Sequence, residues 1–387
     1  MTKKDRFRYF HLENKAGKML DLFKIRRYLH KIPELGFEEF KTQKYLLNIL
    51  KKFKNLKIHL FNFTGILIEY SHGKGEYKLF RADMDALPIK EETKCDFQSE
   101  HEGKMHACGH DMHMTILLGL IEKVVREKLE ENILFLFQPA EEGKGGAQRI
   151  IKTGIFKDYH ISEAYALHVT GNLPAGTISS KKGIFFANSQ EADILFKGKS
   201  AHVAFPENGI DALEAGAEFY NSVNNRIKKN FSVPQTIRCF FGRISAGTAR
   251  NIIASECRLE GTFRSFFDDD HEKIKEILEM TLEDISQKYQ VKSEIKYLSF
   301  YKHVFNNAEL FTKLKQYCKN LKYKFLEAEA VFTGEDFGFF AEKYKGLLFW
   351  LGANQGEKQD LHSSKFLPDE KAIEVGINIL FDLLSSL

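Results

Sequence analysis

The sequence lacks the features of membrane, nucleic-acid-binding and disulfide-rich proteins. Its longest apolar runs, near 116–121 and 133–137, fall far short of the ~20 residues of a membrane-spanning helix. The first residues contain no apolar stretch typical of a signal peptide. With 57 basic and 53 acidic residues, the net charge of +4 is too small for a nucleic-acid-binding surface. The five cysteines have no CxxC spacing, which excludes a zinc ribbon and a disulfide scaffold. We therefore expect a cytoplasmic protein without a nucleic-acid or membrane partner.

The length of 387 residues is roughly two to three times that of a typical domain, so two domains are expected. Over most of the chain, short apolar runs typical of buried strands alternate with helical patterns, which predicts an α/β domain. The charged, aperiodic residues 1–20 are interpreted as a loosely attached extension. The predicted strands are 65–69, 77–81, 133–137, 164–167 and 347–351, and the predicted helices are 22–32, 38–53, 112–128, 145–153, 335–343 and 369–385.

The stretch 188–299 has a different pattern, in which apolar and polar side chains alternate along the strands. This alternation is typical of a sheet with one face in water. Because α/β patterns resume afterwards, we predict a discontinuous domain of residues 1–186 and 300–387, with residues 187–299 inserted as a second domain. The inserted elements follow the β-α-β-β-α-β order of the ferredoxin-like fold, with strands at 190–197, 236–243, 252–264 and 291–299 and helices at 211–229 and 270–288.

Four potential metal ligands lie close together in the segment MHACGHDMH (105–113). Imidazole and thiolate are the groups that hold Zn²⁺ and similar ions. The four residues, His106, Cys108, His110 and His113, cannot all bind metal on one short turn, so one or two are expected to support the ligands instead. The alternative is an incidental histidine cluster at the start of a helix.

Carboxylate and imidazole side chains follow four of the predicted strands. Ligands of open α/β sheets bind at the carboxyl ends of the strands, so these side chains are expected to meet the histidine–cysteine segment. Taken singly, each has an ordinary structural explanation, such as a solvated glutamate pair that caps a helix. In chain order the residues are Asp83 and Asp85, Glu141 and Glu142, His168, and His362.

The candidate ligands are too numerous for a single catalytic zinc ion, which takes three protein ligands. They suit two divalent metal ions ~3.5–4 Å apart that share bridging groups. The glutamate that is not a ligand would then serve as general base. Mixed nitrogen, oxygen and sulfur ligation admits Zn, Mn, Co or Ni. The candidate ligands are Cys108, His110, Glu142, His168 and His362.

Several motifs together resemble the M20 metallo-amidohydrolases, in the branch of hippurate hydrolase and N-acyl-amino-acid amidohydrolases. They include RRYLH (26–30), RADMDALP (81–88), MHACGHDMH (105–113), QPAEEG (138–143) and GEDF (334–337). The resemblance implies a mixed-sheet, metallopeptidase-like catalytic domain and metal-dependent hydrolysis of an N-acylated amino acid. It implies that Glu141 is the general base, that Asp85 orients a ligand, and that the metal ligands are Cys108, His110, Glu142, His168 and His362.

The resemblance also implies that the inserted ferredoxin-like domain is a lid that forms a homodimer. His202 and Asn251 of this domain would stabilise the tetrahedral oxyanion, in their own or the partner subunit. Arg264 would hold a substrate carboxylate by a bidentate contact. One departure from the family pattern is GKSAH (198–202), where a Gly-Gly-His run is more usual.

Three alternatives remain at the level of sequence. The acyl group could be acetyl or benzoyl, since the sequence does not show which side chains line its pocket. A non-catalytic protein with a structural metal is disfavoured because such sites rarely keep a spare carboxylate, here Glu141. A thiol-nucleophile enzyme that uses Cys108 with His110 is disfavoured by the number of potential ligands around the cysteine.

Overall fold

The computed structural model describes residues 19–231 and 234–384, and the predicted N-terminal extension lies outside them apart from its last two residues. The helices of the described residues are α1 (Leu22–Lys31), α2 (Phe40–Leu50), α3 (His110–Glu127), α4 (Gly146–Lys152), α5 (Ala212–Asn230), α6 (Asp268–Tyr289), α7 (Ala308–Asn320), α8 (Gly338–Lys343) and α9 (Ala372–Leu384). The strands are β1 (Lys57–Leu60), β2 (Ile66–Tyr70), β3 (Tyr77–Asp83), β4 (Asn132–Gln138), β5 (Ile161–Pro174), β6 (Ile178–Ser180), β7 (Gly183–Phe186), β8 (Asn188–Lys197), β9 (Ile237–Ala246), β10 (Glu256–Ser265), β11 (Lys292–Tyr301), β12 (Val304–Asn306), β13 (Phe325–Glu327) and β14 (Lys345–Asn354).

The larger sheet has eight strands in the order β1-β2-β4-β3-β5-β14-β6-β13. Its centre is parallel, since β3 pairs with β4 and β5, and β5 pairs with β14, in parallel register. The pairing of β2 with β4 is antiparallel, so the predicted mixed α/β sheet is confirmed.

Both faces of the larger sheet are covered, which explains why its central strands are apolar throughout. In β4, Phe135 packs into a core with α1, α3 and α9, whereas Leu134 and Leu136 pack into a second core with α4 and α8. Successive side chains of a strand point to opposite faces, so the two cores lie on opposite sides of the sheet. The helix α3 is buried over most of its length because it lies between the sheet and α1 and α9.

The smaller sheet has four strands in the order β11-β8-β10-β9, and all of its pairs are antiparallel. With α5 after β8 and α6 after β10, this is the ferredoxin-like arrangement expected from the sequence. A core that includes Phe196, Phe219 and Ile274 joins one face of the sheet to the two helices. The sheet begins at Asn188 and ends at Tyr301, and the domain boundaries at 187 and 299 remain a prediction.

Some elements differ from the expectation. Five short strands have no counterpart in the prediction, because strands of three or four residues carry too little periodicity to recognise: β1, β6, β7, β12 and β13. The 13-residue helix α7 was also not predicted. The strand predicted at 252–264 begins only at Glu256. Within the described part of the chain, no helix has the length and apolarity required to cross a membrane.

The parallel centre of the larger sheet positions the candidate site. Asp83 at the end of β3 lies opposite Gln138 at the end of β4. On β5, His168 lies opposite Trp350 of β14, and α3 starts at His110 beside these strand ends. The motifs RADMDALP, QPAEEG and MHACGHDMH are therefore collected at the carboxyl ends of the central strands, as the strand-end argument predicts. His168 differs from the expectation, because β5 continues past it to Pro174 and the histidine lies within the strand.

Candidate active site

The structure brings the five candidate ligands together. The Cys108 sulfur lies 3.3 Å from His168 Nε2 and 3.3 Å from His362 Nε2. Glu142 Oε1 lies 3.4 Å from His362 Nε2 and 3.9 Å from His110 Nε2. These residues come from four separate segments of the chain, so the arrangement depends on the fold rather than on one local motif.

Unusual backbone conformations place the ligands. Gly109 has φ +83°, and a Cβ atom here would lie 2.3 Å from Val169 Cγ2, so a side chain would clash with β5. This glycine turns the chain sharply between Cys108 and His110 at the start of α3. His362 also has a positive φ of 62°, which a non-glycine residue rarely adopts without support from its surroundings.

The donor atoms fit divalent metal ions. His110 Nε2 and Glu142 Oε1 are buried without a hydrogen-bond partner in the described structure, which is costly unless a further group binds there. The Nδ1 atoms of His110 and His168 lie 2.9 and 2.7 Å from the backbone oxygens of Asp85 and Val169. A neutral ring that donates from Nδ1 leaves Nε2 free to bind a metal, which is the usual arrangement behind a ligating histidine.

The charges around the cluster favour a cation. Burial opposes protonation of His110, yet the carboxylates of Asp83 and Asp85 outweigh it and raise its pKa to about 10. Burial raises the pKa of Cys108 well above its usual value, and the nearby Glu142 adds to the effect. The carboxylates beside His110 therefore stabilise positive charge at that side of the cluster, which a divalent ion would supply. Burial lowers the pKa of His168 well below its usual value, so this ring is neutral, the form in which a histidine binds a metal.

Glu141 has the environment of a general base. Its carboxyl group is buried, and Oε1 lies 3.3 Å from the backbone nitrogen of Asp336, which donates to it. Burial, together with the negative charges of Glu335 and Glu142, raises the pKa of Glu141 well above the usual value of a glutamate. A raised pKa makes a carboxylate a stronger proton acceptor at neutral pH.

Asp85 supports both glutamates through their backbone. Its two carboxylate oxygens accept hydrogen bonds from the backbone nitrogens of Glu141 at 3.1 Å and Glu142 at 3.0 Å. Its own backbone oxygen faces His110 Nδ1. Asp85 thus approaches the candidate ligand His110 through its backbone oxygen and, at 3.4 Å, through Oδ1, while its carboxylate also holds the turn that carries Glu141 and Glu142. The orienting role of Asp85 stays a prediction.

The other two histidines of the 105–113 segment lie outside the ligand cluster. His113 Nδ1 lies 2.6 Å from Asp83 Oδ1, and its Nε2 accepts a hydrogen bond from the Val169 backbone nitrogen at 2.9 Å, so both ring nitrogens are occupied. His106 is fully buried, which lowers its pKa to about 3 and keeps the ring neutral. The expectation that one or two histidines have a supporting role agrees with this placement.

A buried charge network under the site was not predicted. Arg81 contacts Asp83 at 2.8 Å, Glu335 at 3.1 Å and Asp336 at 2.7 Å. Burial and Glu335 raise the pKa of Asp336 to about 7, although Arg81 opposes the shift. The motifs RADMDALP and GEDF contain all four residues, so their co-occurrence was the signal available in the sequence.

In the described part of the chain, the three predicted residues of the inserted domain make their hydrogen bonds to residues other than the candidate ligands. His202 and Asn251 are exposed neighbours, with the Val203 nitrogen 3.3 Å from the Asn251 oxygen. Among the described residues, neither has a hydrogen bond to the candidate ligands. Arg264 donates to the Phe332 backbone oxygen at 2.6 Å.

The mixed α/β sheet and a buried carboxylate beside clustered metal donors define the class of metallohydrolases. The chain belongs to the family described as peptidase family M20/M25/M40, whose model matches residues 79–386.

Individual relatives cover almost the whole chain. It is 42% identical over 371 residues to the N-acetyldiaminopimelate deacetylase of Shouchella clausii (strain KSM-K16), covering 95% of this chain and 99% of the relative. It is 39% identical to the protein of the same name from Bacillus subtilis (strain 168), covering 94% and 97%. The crystal structure of the Bacillus subtilis YXEP protein, described as a dinuclear metal-binding peptidase from the M20 family, is 30% identical with a TM-score of 0.80, covering 94% and 96%.

Proposed function

We propose that the chain is an N-acetyldiaminopimelate deacetylase, which hydrolyses N-acetyl-L,L-2,6-diaminopimelate to acetate and diaminopimelate. The observation that carries the proposal is Glu141, a buried carboxylate of raised pKa directly before Glu142 of the ligand cluster. The names of the relatives at 39–42% identity support the choice of substrate. The proposal places the protein in the acetylase branch of lysine and diaminopimelate biosynthesis, in the cytoplasm.

The cofactor part of the proposal is two divalent metal ions, with Zn, Mn, Co and Ni as candidates. Cys108, His110, Glu142, His168 and His362 would hold them. Bound there, the ions would polarise the amide carbonyl and lower the pKa of an attacking water. The dinuclear description of the YXEP protein and the close approach of the donor atoms support this assignment.

Glu141 moves the proton in the proposed reaction. Its carboxylate accepts a proton from the attacking water and then delivers it to the nitrogen of the leaving amine. Asp336 and Asp85 keep the group in place, because the first donates its backbone N–H to the carboxylate and the second holds the backbone of Glu141. The thiol-nucleophile alternative is weakened by the raised pKa of Cys108, which keeps a metal-free thiol protonated.

The substrate assignment is tested by acetate release from N-acetyl-L,L-diaminopimelate beside hydrolysis of hippurate, with purified, metal-loaded protein. We expect a higher kcat/KM for the diaminopimelate derivative and loss of both activities after chelation. Faster hydrolysis of hippurate would replace the proposal by its alternative, the same chemistry on another N-acyl amino acid. Full activity in the chelated protein would reject metal-dependent hydrolysis altogether.

Glu141→Gln tests the general base. The amide keeps the shape of the side chain but cannot accept the proton, so kcat should fall by about 10²–10⁴-fold. Metal content, measured by elemental analysis, should be unchanged. The matched control is Glu163→Gln, which alters a half-buried glutamate of β5 that accepts a hydrogen bond from Tyr165 and should keep normal turnover. Normal activity of Glu141→Gln would mean that another group is the base.

The pH dependence follows from the neighbours of Glu141. A protonated Glu141 cannot act as a base, so kcat/KM falls as the pH drops below its pKa. The negative charge of Glu335 helps to raise that pKa, and Glu335→Gln should shift the acid limb to lower pH by about one unit. The amide oxygen can still accept the contacts from Arg81 and the Phe337 nitrogen. The control is Glu342→Gln on α8, which removes an ion pair with Lys302 and should leave the pH profile unchanged. An acid limb that does not shift in Glu335→Gln would contradict an effect of Glu335 on the pKa of Glu141.

The proposal includes a homodimer formed through the inserted domain. The strand β9 is an edge of the four-stranded sheet and exposes Phe240 and Ile244, with 65% and 54% of their surface accessible. An exposed apolar edge strand is a surface that another chain can cover. His202 and Asn251 are exposed on loops of the same domain, and the proposal is that they act on the oxyanion in the partner subunit.

Analytical ultracentrifugation tests the homodimer. We expect the wild type to sediment as a dimer at micromolar concentration, and Phe240→Lys combined with Ile244→Lys to sediment as a monomer with reduced activity. The control is Leu298→Lys on β11, the opposite edge of the sheet, which is similarly exposed and should stay dimeric. A monomeric wild type would reject this part of the proposal.

A further inference from the structure

Four residues form one row across the smaller sheet. Tyr301 of β11 pairs with Ser189 of β8, Ser189 pairs with Arg264 of β10, and Arg264 pairs with Arg238 of β9. Directly paired residues of antiparallel strands point to the same face. Ile237 and Phe263, next to the two arginines, belong to the core with α5 and α6, so the arginines point away from those helices.

One end of this row lies at the general base. The Tyr301 hydroxyl accepts a hydrogen bond from the Gly143 backbone nitrogen at 2.5 Å and donates one to the Glu141 backbone oxygen at 2.9 Å. Ser299, on the same strand, donates to the Gly143 oxygen. The row therefore starts at the turn that carries Glu141 and Glu142.

At the other end of the row, the guanidinium groups of Arg264 and Arg238 both contact Phe332. Arg264 donates to the Phe332 oxygen at 2.6 Å, and the Arg238 guanidinium carbon lies 4.2 Å from the centre of the Phe332 ring. The rings of Phe266 and Phe332 stack with their centres 4.4 Å apart, which holds the Phe332 ring in place beside Arg238. Arg238 Nη1 also donates to the Ile237 backbone oxygen at 2.7 Å. Two guanidinium groups held next to the same residue suit a bidentate contact with a carboxylate.

The segment 332–336 runs from the arginines back to the base. A Cβ atom on Gly334 would lie 3.0 Å from the Tyr301 ring and 3.3 Å from Ser189 Cβ, so this segment passes directly over the row. Asp336, two residues further, donates to Glu141. Since adjacent strands are ~4.8 Å apart, the backbones of Arg264 and Arg238 lie about 10 and 14 Å along the row from that of Tyr301.

We propose that Arg238, paired with Arg264, binds the distal carboxylate of a dicarboxylic N-acyl amino acid and so selects N-acetyldiaminopimelate over substrates with a single carboxylate. The inference rests on the proposed function and deepens it. In an extended substrate the distal carboxylate carbon is about 9 Å from the scissile carbonyl carbon, given bonds of about 1.5 Å. This length is shorter than the backbone distances of about 10 and 14 Å from Tyr301 to Arg264 and Arg238, and the long arginine side chains can span the remainder.

The test compares two substrates that differ only in the distal carboxylate. These are N-acetyl-L,L-diaminopimelate and Nα-acetyl-L-lysine, which lacks that group and keeps the distal amine. For the wild type we expect the ratio of kcat/KM values to favour the dicarboxylate, and for Arg238→Gln we expect this ratio to fall about 10- to 100-fold. Arg238→Lys keeps the positive charge but cannot make a bidentate contact, so its ratio of kcat/KM values should lie between those of the wild type and Arg238→Gln.

The matched control is Arg243→Gln, an exposed arginine of the same strand that pairs with Glu260 at 3.4 Å and should keep the wild-type ratio. An unchanged ratio in Arg238→Gln would overturn the inference, whether activity is lost equally on both substrates or retained on both. A wild type that releases no acetate from the diaminopimelate derivative would instead reject the proposed function, a result visible before any variant is made.

Discussion

The site depends on one buried cation, Arg81. Its guanidinium contacts Asp83, Glu335 and Asp336, and all four side chains are almost fully buried. Without this arginine three carboxylates would lie in an apolar interior, and breaking such a network by removing one partner costs about 3–5 kcal/mol. This network connects the strand β3 with the motif 334–337, and the motif in turn contacts the turn that carries Glu141. Asp83 orients His113, and the backbone of Asp336 contacts Glu141.

The metal-site candidates were predictable because of a general property of parallel sheets. Glu142 follows β4 and His110 starts α3 at the carboxyl ends of the central strands, so the predicted strand ends already indicated Glu142. They also indicated His168, although the structure places it within β5 rather than at its end. The ferredoxin-like order was likewise visible, since alternating strands and long helices carry strong periodicity. Both expectations needed only local pattern and the rule about where strand ends meet.

The remaining features depend on which distant segments lie opposite each other. Arg81 and Asp336 are separated by 255 positions, and no local pattern encodes their contact. The pairing of Arg238 with Arg264 depends on a strand register interrupted by a bulge near Gly261. The contact of the Asp85 backbone oxygen with His110 was equally hidden, because a sequence shows side chains and not backbone direction.

The hydrogen bonds of Tyr301 restrict how the two sheets can move against each other. This residue ends β11 and is bonded to the backbone on both sides of Glu142. Hydrogen bonds of this kind are lost when donor and acceptor separate beyond about 3.5 Å. A rotation of the four-stranded sheet that preserves them must therefore have its axis close to Tyr301. Residues far from this axis, such as Phe240 on β9, would sweep the largest arcs, while the backbone around Glu141 and Glu142 would stay nearly still.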